Sequence, residues 1–341
     1  MCGVFGFCLN RPLVSDDMSL GRRALKMLAH RGPDGEGEWF DINNGIYLGH
    51  RRLAIIDTTV LSKQPIDIDG SILSFNGELY NFVELRNKLI DKRILFSSTG
   101  DGEVLLQAWK QWGAAALNQF DGMYAFALYD GSYIHLVTDP FGEKPLYLLR
   151  RNEGYYFASE AQVLIDLFTL EFSPEQDEIA ALISLGFLPS GKTGFKGLES
   201  LPQANHLRLT KGEVVDVNTY WVPHPTYIGK GAVKKLTENQ IDDIQTVLLD
   251  ALSLRMRADV PVGLFLSGGI DSALVAAMIA KDLDQQVQAL TVSYPDGVDE
   301  SKEAAKIANY LGLPHVIVDS RNDNTDGEVS NNLKKMYGVP N

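Results

Sequence analysis

The chain has 341 residues, of which 45% are hydrophobic and 22% charged, and its 31 Lys and Arg against 44 Asp and Glu give a formal net charge of −13. A single core stops growing near ~250–300 residues, so we expect two domains, and the apolar fraction excludes global disorder. No apolar run reaches the ~18–20 residues of a membrane-spanning helix, so we expect no membrane partner. The acidic balance argues against a nucleic-acid partner, because phosphates would be repelled.

The cysteine content indicates the compartment. There are two cysteines, Cys2 and Cys8, only six residues apart, and no Cys/His cluster has zinc-ligand spacing. The N-terminus has no basic region followed by an apolar stretch, so it does not read as a signal peptide. We therefore expect a cytoplasmic protein in which Cys2 is a free thiol.

The first part of the chain predicts two antiparallel sheets with helices outside, rather than a βαβ winding. Short runs rich in branched and aromatic residues predict strands over residues 4–9, 45–50, 53–57, 72–76, 123–129, 133–138, 145–150 and 155–158. Apolar residues at helical spacing predict helices over residues 24–28, 82–90 and 104–112.

The pattern changes between about residues 212 and 238, where a segment rich in Pro, Gly and Lys is typical of a linker. We place the domain boundary near residue 220. Helices and strands then alternate over residues 241–257, 260–266, 272–283, 287–293, 301–311 and 315–318. That βαβαβ order predicts a parallel sheet covered by helices.

A Ser-Gly-Gly-Ile-Asp-Ser segment lies where an apolar strand meets a helix in this second part. Gly268 and Gly269 let the backbone approach a ligand closely, and the free N–H groups of the helix start favour a phosphate or pyrophosphate. Ser267 and Ser272 add hydroxyl donors, and Asp271 is a candidate Mg²⁺ ligand. The alternative is a helix cap after a tight turn, but the strand–loop–helix context favours a nucleotide site.

Residues 186–193 match the Walker A pattern GxxxxGK[ST] letter for letter. That loop works only between a buried strand and a long helix, whereas here a predicted helix precedes it and glycines follow it. Pro189 also lacks an N–H group that a phosphate would need. We interpret this segment as a surface loop.

Cys2 is the candidate nucleophile. A lone cysteine is most often a small buried hydrophobe, but removal of Met1 would leave this thiol beside its own α-amine. That amine titrates near ~8, so it can accept the thiol proton directly or through a water. One residue then supplies nucleophile and base, and no His partner is required.

An attacking thiol also needs an oxyanion hole and a substrate clamp. Asn76 and Gly77 at a strand end can share one oxygen, Arg52 can grip a carboxylate in a bidentate manner, and Asp101 can hold an ammonium. Each residue alone has a structural alternative: a turn, a surface cation or a helix cap.

These motifs resemble known families over nearly the whole chain. The first ~215 residues resemble the glutaminase domain of class II glutamine amidotransferases, and the remainder resembles the start of the synthetase domain of glutamine-dependent asparagine synthetases. The matching segments, in family order, are residues 1–6, 30–35, 49–57, 74–81, 120–126 and 139–147, followed by the Ser-Gly-Gly-Ile-Asp-Ser loop and the strand at 289–294.

The resemblance implies the fold. Residues 2–215 are expected to form an α+β N-terminal nucleophile hydrolase, a four-layer αββα sandwich, and residues 216–238 a linker. Residues 239–341 are expected to form the N-terminal part of an α/β parallel-sheet PP-loop nucleotide-binding domain.

The resemblance also implies roles. Cys2 would attack the side-chain amide of glutamine, and Asn76 and Gly77 would stabilise the oxyanion. The residues expected to bind glutamine are Arg52, Glu78 and Asp101. ATP, with Mg²⁺, would lie over residues 267–272 and activate aspartate as an acyl-adenylate, which ammonia from an internal tunnel attacks. Phe265 and Val292 would lie near the adenosine. We expect no redox cofactor, and the family is often homodimeric.

Two departures from the family keep alternatives open. Gly102 replaces a bulkier residue beside the glutamine-binding Asp101, and the later family segments that complete the ATP site are not found after Ser272. The alternatives are a different carboxylate acceptor, a chain retaining only glutaminase activity, or a non-catalytic interaction protein. Cys2 argues against the branch that closes β-lactam rings, which has no use for glutamine-derived ammonia.

Overall fold

The computed structural model describes residues 1–189, 191–223, 235–293 and 299–319. The chain divides into two compact units, one built on Met1–His224 and one on Pro225–Gly327. None of the helices in these described ranges combines the length and apolarity that a bilayer crossing requires.

The first unit contains twelve strands in its described residues: β1 Gly3–Leu9, β2 Gly35–Asp41, β3 Ile46–Arg52, β4 Ile66–Ile68, β5 Ser71–Leu79, β6 Gly122–Tyr129, β7 Ile134–Thr138, β8 Tyr147–Arg151, β9 Gly154–Ala158, β10 Leu198–Ser200, β11 Asn205–Thr210 and β12 Glu213–Thr219. They form two six-stranded antiparallel sheets, with strand orders β10-β8-β9-β1-β3-β2 and β12-β11-β7-β6-β5-β4. The central strand β1 of the first sheet pairs with β3 and β9, and β5 of the second pairs with β4 and β6.

Helices cover the outer faces of the two sheets. Helices α1 and α4 pack on the first sheet, α2 and α3 pack on the second, and the inner faces of the sheets meet each other. The first unit therefore has the four-layer αββα arrangement expected from the sequence. The helices of this unit are α1 Ser15–Met27, α2 Phe82–Ile90, α3 Asp101–Trp112, α4 Ala161–Phe168 and α5 Gln176–Leu185.

The core under α1 contains aromatic side chains from strands β1 and β3 that pack beside small residues. Phe7 stacks on Tyr47 with ring centroids 5.1 Å apart, and both rings are fully buried. Gly21 of α1 makes room for them, because a Cβ there would lie 2.4 Å from the Tyr47 ring. Each such buried side chain contributes about 1.5–3 kcal/mol, so β1 is held firmly in the middle of its sheet.

One strand prediction in this unit was wrong, and five of the observed strands were not predicted. Residues 53–57 form an irregular segment after β3, because its backbone carbonyls are bound by the side chain of Arg52 and Asp57 has a φ of 52°. The strands that were not predicted are β2, β4, β10, β11 and β12. Strand β2 was missed because its sequence has no β-branched residues. Gly37 in β2 is required by packing, since a Cβ there would lie 2.1 Å from the carbonyl oxygen of Gln64.

The first unit also extends beyond the predicted boundary at residue 215. Strand β12 crosses that position and pairs with β11 as far as Thr219, and the N–H of Tyr220 donates to the carbonyl of Ala204. The predicted linker over residues 216–238 therefore begins inside a hydrogen-bonded hairpin. Residues 224–234 of that prediction lie outside the described residues.

The Walker-like segment is a loop, as the sequence predicted for its described residues; residue 190 is not among them. Gly186 ends α5 in the left-handed conformation. Lys192 lies 3.7 Å from the carboxylate of Glu178, and the buried hydroxyl of Thr193 donates to the carbonyl of Leu198. These side chains are occupied in stabilising the loop.

The second unit contains a parallel three-stranded sheet in the order β13-β14-β15. Its core lies between the sheet and helices α7 and α8. The predicted strand at residues 260–266 is shorter than expected, because Pro261 cannot donate to a strand ladder. The elements are α6 Glu238–Arg255, β13 Gly263–Phe265, α7 Ile270–Ala277 with a π-helical turn at Met278–Asp282, β14 Gln288–Ser293, α8 Ser301–Leu311 and β15 His315–Asp319.

Candidate active site

One cavity of about 270 Å³ lies where the strands of the two facing sheets of the first unit end. The start of β1, the end of β3, the end of β5 and the start of α3 meet around it. The cavity is lined by all six residues that the sequence predicted for catalysis and glutamine binding: Cys2, Arg52, Asn76, Gly77, Glu78 and Asp101.

The thiol of Cys2 is held by the segment that follows β3. The backbone N–H of Leu53 donates to the Cys2 Sγ at 3.3 Å. Burial raises the pKa of the Cys2 thiol above its usual value, and the positive N-terminal amine beside it opposes this shift. A thiol with a raised pKa needs a base to become a nucleophile at neutral pH. Burial lowers the pKa of the Met1 N-terminal amine, so a larger fraction of that amine is unprotonated at neutral pH and able to accept a proton.

The amide of Asn76 is buried and has no hydrogen-bond partner on either Oδ1 or Nδ2. Leaving buried polar groups unpaired costs about 1–3 kcal/mol each, so such a group in a cavity wall is typical of a ligand site. Gly77 follows it, and a Cβ there would lie 2.2 Å from the carbonyl oxygen of Met123. The strand pairing therefore admits only glycine, and Gly77 lines the cavity beside the amide.

Arg52 lines the cavity and also holds the rim of the cavity, which is the segment at residues 53–59. Its guanidinium donates to the carbonyl of Thr59 at 2.8 Å and to the carbonyls of Ile56 and Asp57. A guanidinium carries five N–H donors, so these contacts leave capacity for a carboxylate. The side chain thus joins the segment after β3 to the place where a substrate carboxylate would lie.

Two carboxylates face the cavity together. Asp101, only 9% exposed, accepts hydrogen bonds from the N–H groups of Leu79 at 3.0 Å and Gly102 at 2.9 Å. Burial raises the pKa of Asp101 to about 6, and the nearby charge of Glu78 adds to the shift. Burial also raises the pKa of Glu78. A pair of desolvated carboxylates is an attractive site for an ammonium group.

Gly102 has a packing role that explains the departure noted in the sequence. A Cβ at this position would lie 3.0 Å from Cδ1 of Ile66, which also lines the cavity. A larger residue would press on that wall. The Asp101 carboxylate does not need a larger neighbour to stay in place, because the N–H groups of Leu79 and Gly102 hold it.

Three further residues, one in the cavity wall and two behind it, were not assigned a role from the sequence. Lys144 lines the cavity, and burial lowers the pKa of its ammonium group. Arg31 donates from Nε to the carbonyl oxygen of Cys2 at 2.8 Å, and Glu160 binds Arg31. Arg31 and Lys144 lie inside matched segments and could have been selected there. Glu160 follows the end of strand β9, and no motif or spacing in the sequence marks it as a functional residue.

The predicted nucleotide loop of the second unit begins directly after β13. Oγ of Ser267 lies 2.8 Å from Oγ of Ser272, and the N–H of Gly269 donates to Ser267 at 3.2 Å. The N–H of Gly268 donates to the carboxylate of Glu300 at 3.2 Å. The loop therefore already binds a carboxylate at one of its N–H groups, which fits an anion site.

A shallow cavity of about 400 Å³ adjoins this loop. It brings together three predicted ATP residues, namely Phe265, Ser267 and Val292. Gly268, Gly269, Asp271 and Ser272 are not among its lining residues. Phe265 is 78% exposed, so its ring is not part of the core of this unit. In the described part of the chain no three His, Cys, Asp or Glu side chains are grouped for a metal, so Mg²⁺ at Asp271 would depend on phosphate oxygens.

Comparison with known proteins identifies the family of the first unit. Residues 1–221 match the family model described as a glutamine amidotransferase domain. The chain belongs to this family. Residues 243–331 match a second model, described as asparagine synthase. The resemblance found in the sequence to both kinds of domain is thereby confirmed.

Individual relatives cover most of this chain. It is 34% identical over 337 residues to a putative glutamine-hydrolysing asparagine synthetase of Mycobacterium tuberculosis, covering 93% of this chain and 51% of the relative. It is 30% identical over 342 residues to the amidase chry2 of Gibberella zeae, covering 92% and 50%. The chain thus spans about half the length of the curated relatives it matches.

A solved structure supports the fold. The glutamine phosphoribosylpyrophosphate amidotransferase of Bacillus subtilis, complexed with ADP and GMP, matches with a TM-score of 0.50 at 17% identity, covering 93% of this chain and 65% of that chain. At this identity the likeness concerns the fold alone. It agrees with an N-terminal nucleophile hydrolase fold for the first unit, and the PP-loop fold of the second unit stays a prediction.

Proposed function

We propose that the first unit is a glutaminase in which Cys2 is the nucleophile. The observation that carries this proposal is the buried, unpartnered amide of Asn76 in the same cavity as the Cys2 thiol. An amide N–H without a partner can donate a hydrogen bond to the carboxamide oxygen, which becomes negatively charged when a thiol attacks the carbonyl carbon. The membership of the chain in the glutamine amidotransferase family supports the same reaction.

The reaction begins once Met1 is removed and the α-amine belongs to Cys2. The amine takes the thiol proton while sulfur attacks the side-chain carboxamide carbon of glutamine. The tetrahedral oxyanion is stabilised by the Asn76 amide and the Gly77 N–H. The C–N bond then breaks, the amine returns the proton to the leaving nitrogen as ammonia, and a thioester remains. Water hydrolyses the thioester to glutamate and restores the thiol.

Glutamine is held by its α-groups, which orient the carboxamide toward Cys2. Arg52 binds the α-carboxylate with the donors that its rim contacts leave, and Glu78 and Asp101 bind the α-ammonium. This division follows the charges that line the cavity. It also explains why two carboxylates are buried together, since a cationic ligand offsets their repulsion.

For the second unit we propose the role of an asparagine synthetase, in which ammonia amidates an ATP-activated aspartate. Ser267, Gly268, Gly269 and Ser272 would bind ATP phosphates, and the exposed faces of Phe265 and Val292 would contact the adenosine. Asp271 would share Mg²⁺ with the phosphates, and this metal would neutralise charge on the leaving pyrophosphate. A homodimer and a cytoplasmic location stay predictions.

The first experiment measures glutamate formation from glutamine without ATP, in the wild type and in Cys2→Ala. Cys8→Ala is the matched control, because Cys8 is the buried cysteine six residues away, in strand β1. We expect turnover in the wild type and Cys8→Ala, and none in Cys2→Ala. Equal rates in wild type and Cys2→Ala would refute the nucleophile, and no turnover in any of them would favour a non-catalytic role.

The second experiment follows pyrophosphate and asparagine with ATP, Mg²⁺, glutamine and aspartate. Formation of both products supports the synthetase role, whereas glutamate alone indicates a chain with only glutaminase activity. A different carboxylate acceptor is the second candidate, favoured by the similarity to a protein named an amidase. A thermal-shift screen of carboxylates with ATP and Mg²⁺ separates these two, because only the true acceptor stabilises the protein further.

A further inference from the structure

The backbone of Cys2 is fixed by a buried cation. Arg31, which follows α1 and is 8% exposed, donates from Nε to the carbonyl oxygen of Cys2 at 2.8 Å. Because β1 begins at Gly3, the ladder of its sheet does not pair Cys2 itself. The guanidinium therefore supplies the contact that the strand lacks at the position of the nucleophile.

Arg31 is in turn held by Glu160. The Arg31 Nη1 donates to the Glu160 Oε1 at 2.9 Å, and Glu160 is 4% exposed. Glu160 lies between β9 and α4, immediately after the strand that pairs with β1. A buried guanidinium paired with a carboxylate has a fixed orientation, whereas an unpaired one is strongly destabilising. The direction of Arg31 toward Cys2 thus depends on Glu160.

The same carboxylate has a second partner at the surface. Nε2 of His30 lies 2.8 Å from Glu160 Oε1, and Nδ1 of His30 lies 3.0 Å from the carbonyl oxygen of Met27. Both ring nitrogens face acceptors, so the ring donates to both only when it is doubly protonated. Glu160 is therefore held from two sides, by Arg31 inside and by His30 at the edge of the sheet.

We propose that Glu160 is a positioning residue for the hydrolysis of glutamine, acting through Arg31 on the backbone of Cys2. This inference rests on the proposed glutaminase. Glu160 does not line the cavity and touches no reacting atom. Its contribution is to hold the α-carbon of Cys2, and with it both the thiol and the α-amine, at the attack distance from the carboxamide.

The test compares Glu160→Gln with Asp17→Asn in the full chain. Asp17 is the control because it is also a buried carboxylate that binds an arginine, the more exposed Arg11, through bonds of 2.7 and 2.9 Å, and it lies on helix α1, outside the cavity. Three quantities are measured: kcat and KM for glutamine, the rate of iodoacetamide alkylation of Cys2 assigned by fragment mass spectrometry, and the melting temperature.

We expect Glu160→Gln to lower kcat at least tenfold, to change KM less than threefold, and to change the alkylation rate of Cys2 at least threefold. Asp17→Asn should lower the melting temperature comparably and leave both rates within twofold of wild type. A Glu160→Gln protein with wild-type kcat and alkylation overturns the inference, as does an equal loss of kcat in Asp17→Asn. If Glu160→Gln does not fold, Glu160→Asp is measured instead, and wild-type kcat there also overturns it.

The two proposals fail in different ways. A wild-type protein without glutaminase activity contradicts the proposed function. Alkylation needs no turnover, so the comparison of Cys2 reactivity between wild type and Glu160→Gln still decides whether Glu160 positions this residue.

Discussion

The carboxylate of Asp101 accepts a hydrogen bond from the backbone N–H of Leu79, 3.0 Å away, at the point where strand β5 ends beside the cavity. This bond stabilises the ionised carboxylate, but burial outweighs it and raises the pKa of Asp101 to about 6. The residue proposed to bind the ammonium of glutamine therefore changes charge within an accessible pH range.

The KM for glutamine should rise as the pH falls below about 6. The protonated carboxyl of Asp101 attracts an ammonium weakly, so KM should increase about tenfold per pH unit until the pKa of the complex is reached. Steady-state kinetics between pH 5 and 8 measure this. Asp101→Asn should have a KM raised at least tenfold and a weaker dependence on pH than the wild type, because only Glu78 remains to titrate beside the ammonium. A constant wild-type KM over this range would contradict the binding role.

Asn76→Ala should lower kcat by about 10²–10³-fold with a small change in KM, because the lost donor acts on the developing oxyanion. The same substitution removes a buried amide that has no partner, so the melting temperature should stay equal or rise. Kinetics and thermal unfolding together check this. A loss of kcat that is accompanied by a large loss of stability would instead indicate a structural role for Asn76.

Gly77→Ala should destabilise the first unit by about 2–3 kcal/mol, because the new Cβ would lie 2.2 Å from the carbonyl oxygen of Met123. Gly35→Ala is the matched control, since that strand glycine meets Arg52 Cβ only at an ordinary 3.5 Å. Denaturant unfolding of both variants gives the comparison. Equal stabilities of the two variants would show that β5 and β6 separate easily at this point.

The free energy of unfolding should increase with pH between about 5 and 6. Burial lowers the pKa of His50 to about 3 and that of His206 to about 4, so near pH 5 the unfolded chain binds about two more protons at these positions. Asp101, with a raised pKa, binds about one more proton in the folded state and opposes this. For these three groups the net difference is about one proton, which gives a slope of about 1.4 kcal/mol per pH unit, and the raised pKa of Glu78 makes the slope smaller.

Denaturant unfolding at several pH values measures that slope. His206→Gln should flatten it, because one of the two favourable terms is removed, and Asp101→Asn should steepen it. His206 lies 2.8 Å from His135, so its substitution is also expected to alter local packing, and the slope rather than the absolute stability is the quantity compared. A slope that is unchanged in both variants would contradict the assignment.

Much of the first site could be predicted from the sequence because its residues follow recognisable segments. Strand β1 has the short apolar pattern of a buried strand, and Asn76 to Glu78 follow directly on another such pattern. The location of Asp101 at the start of α3 also agrees with the helix predicted there. Each of these local patterns sets where a strand or helix ends, and the ends surround the cavity.

What the sequence did not predict depends on contacts between distant segments. Residues 53–57 look like a strand by composition, yet the side chain of Arg52 binds their carbonyls and bends them over the thiol. Glu160 is an ordinary acidic residue in sequence, and only the pairing of β9 with β1 brings it to Arg31. Neither effect has a periodicity or spacing that reveals it.

The placement of β1 also has a consequence for the order of events during synthesis. The N–H of Val4 donates to the hydroxyl of Ser159, a contact between residues 155 positions apart, and β1 pairs along its length with β9. Contacts so distant in sequence form late, after the intervening chain has been made. Under the proposed function, Cys2 is positioned only after strand β9 has been made and has paired with β1, so ammonia release would begin only once these two strands are together.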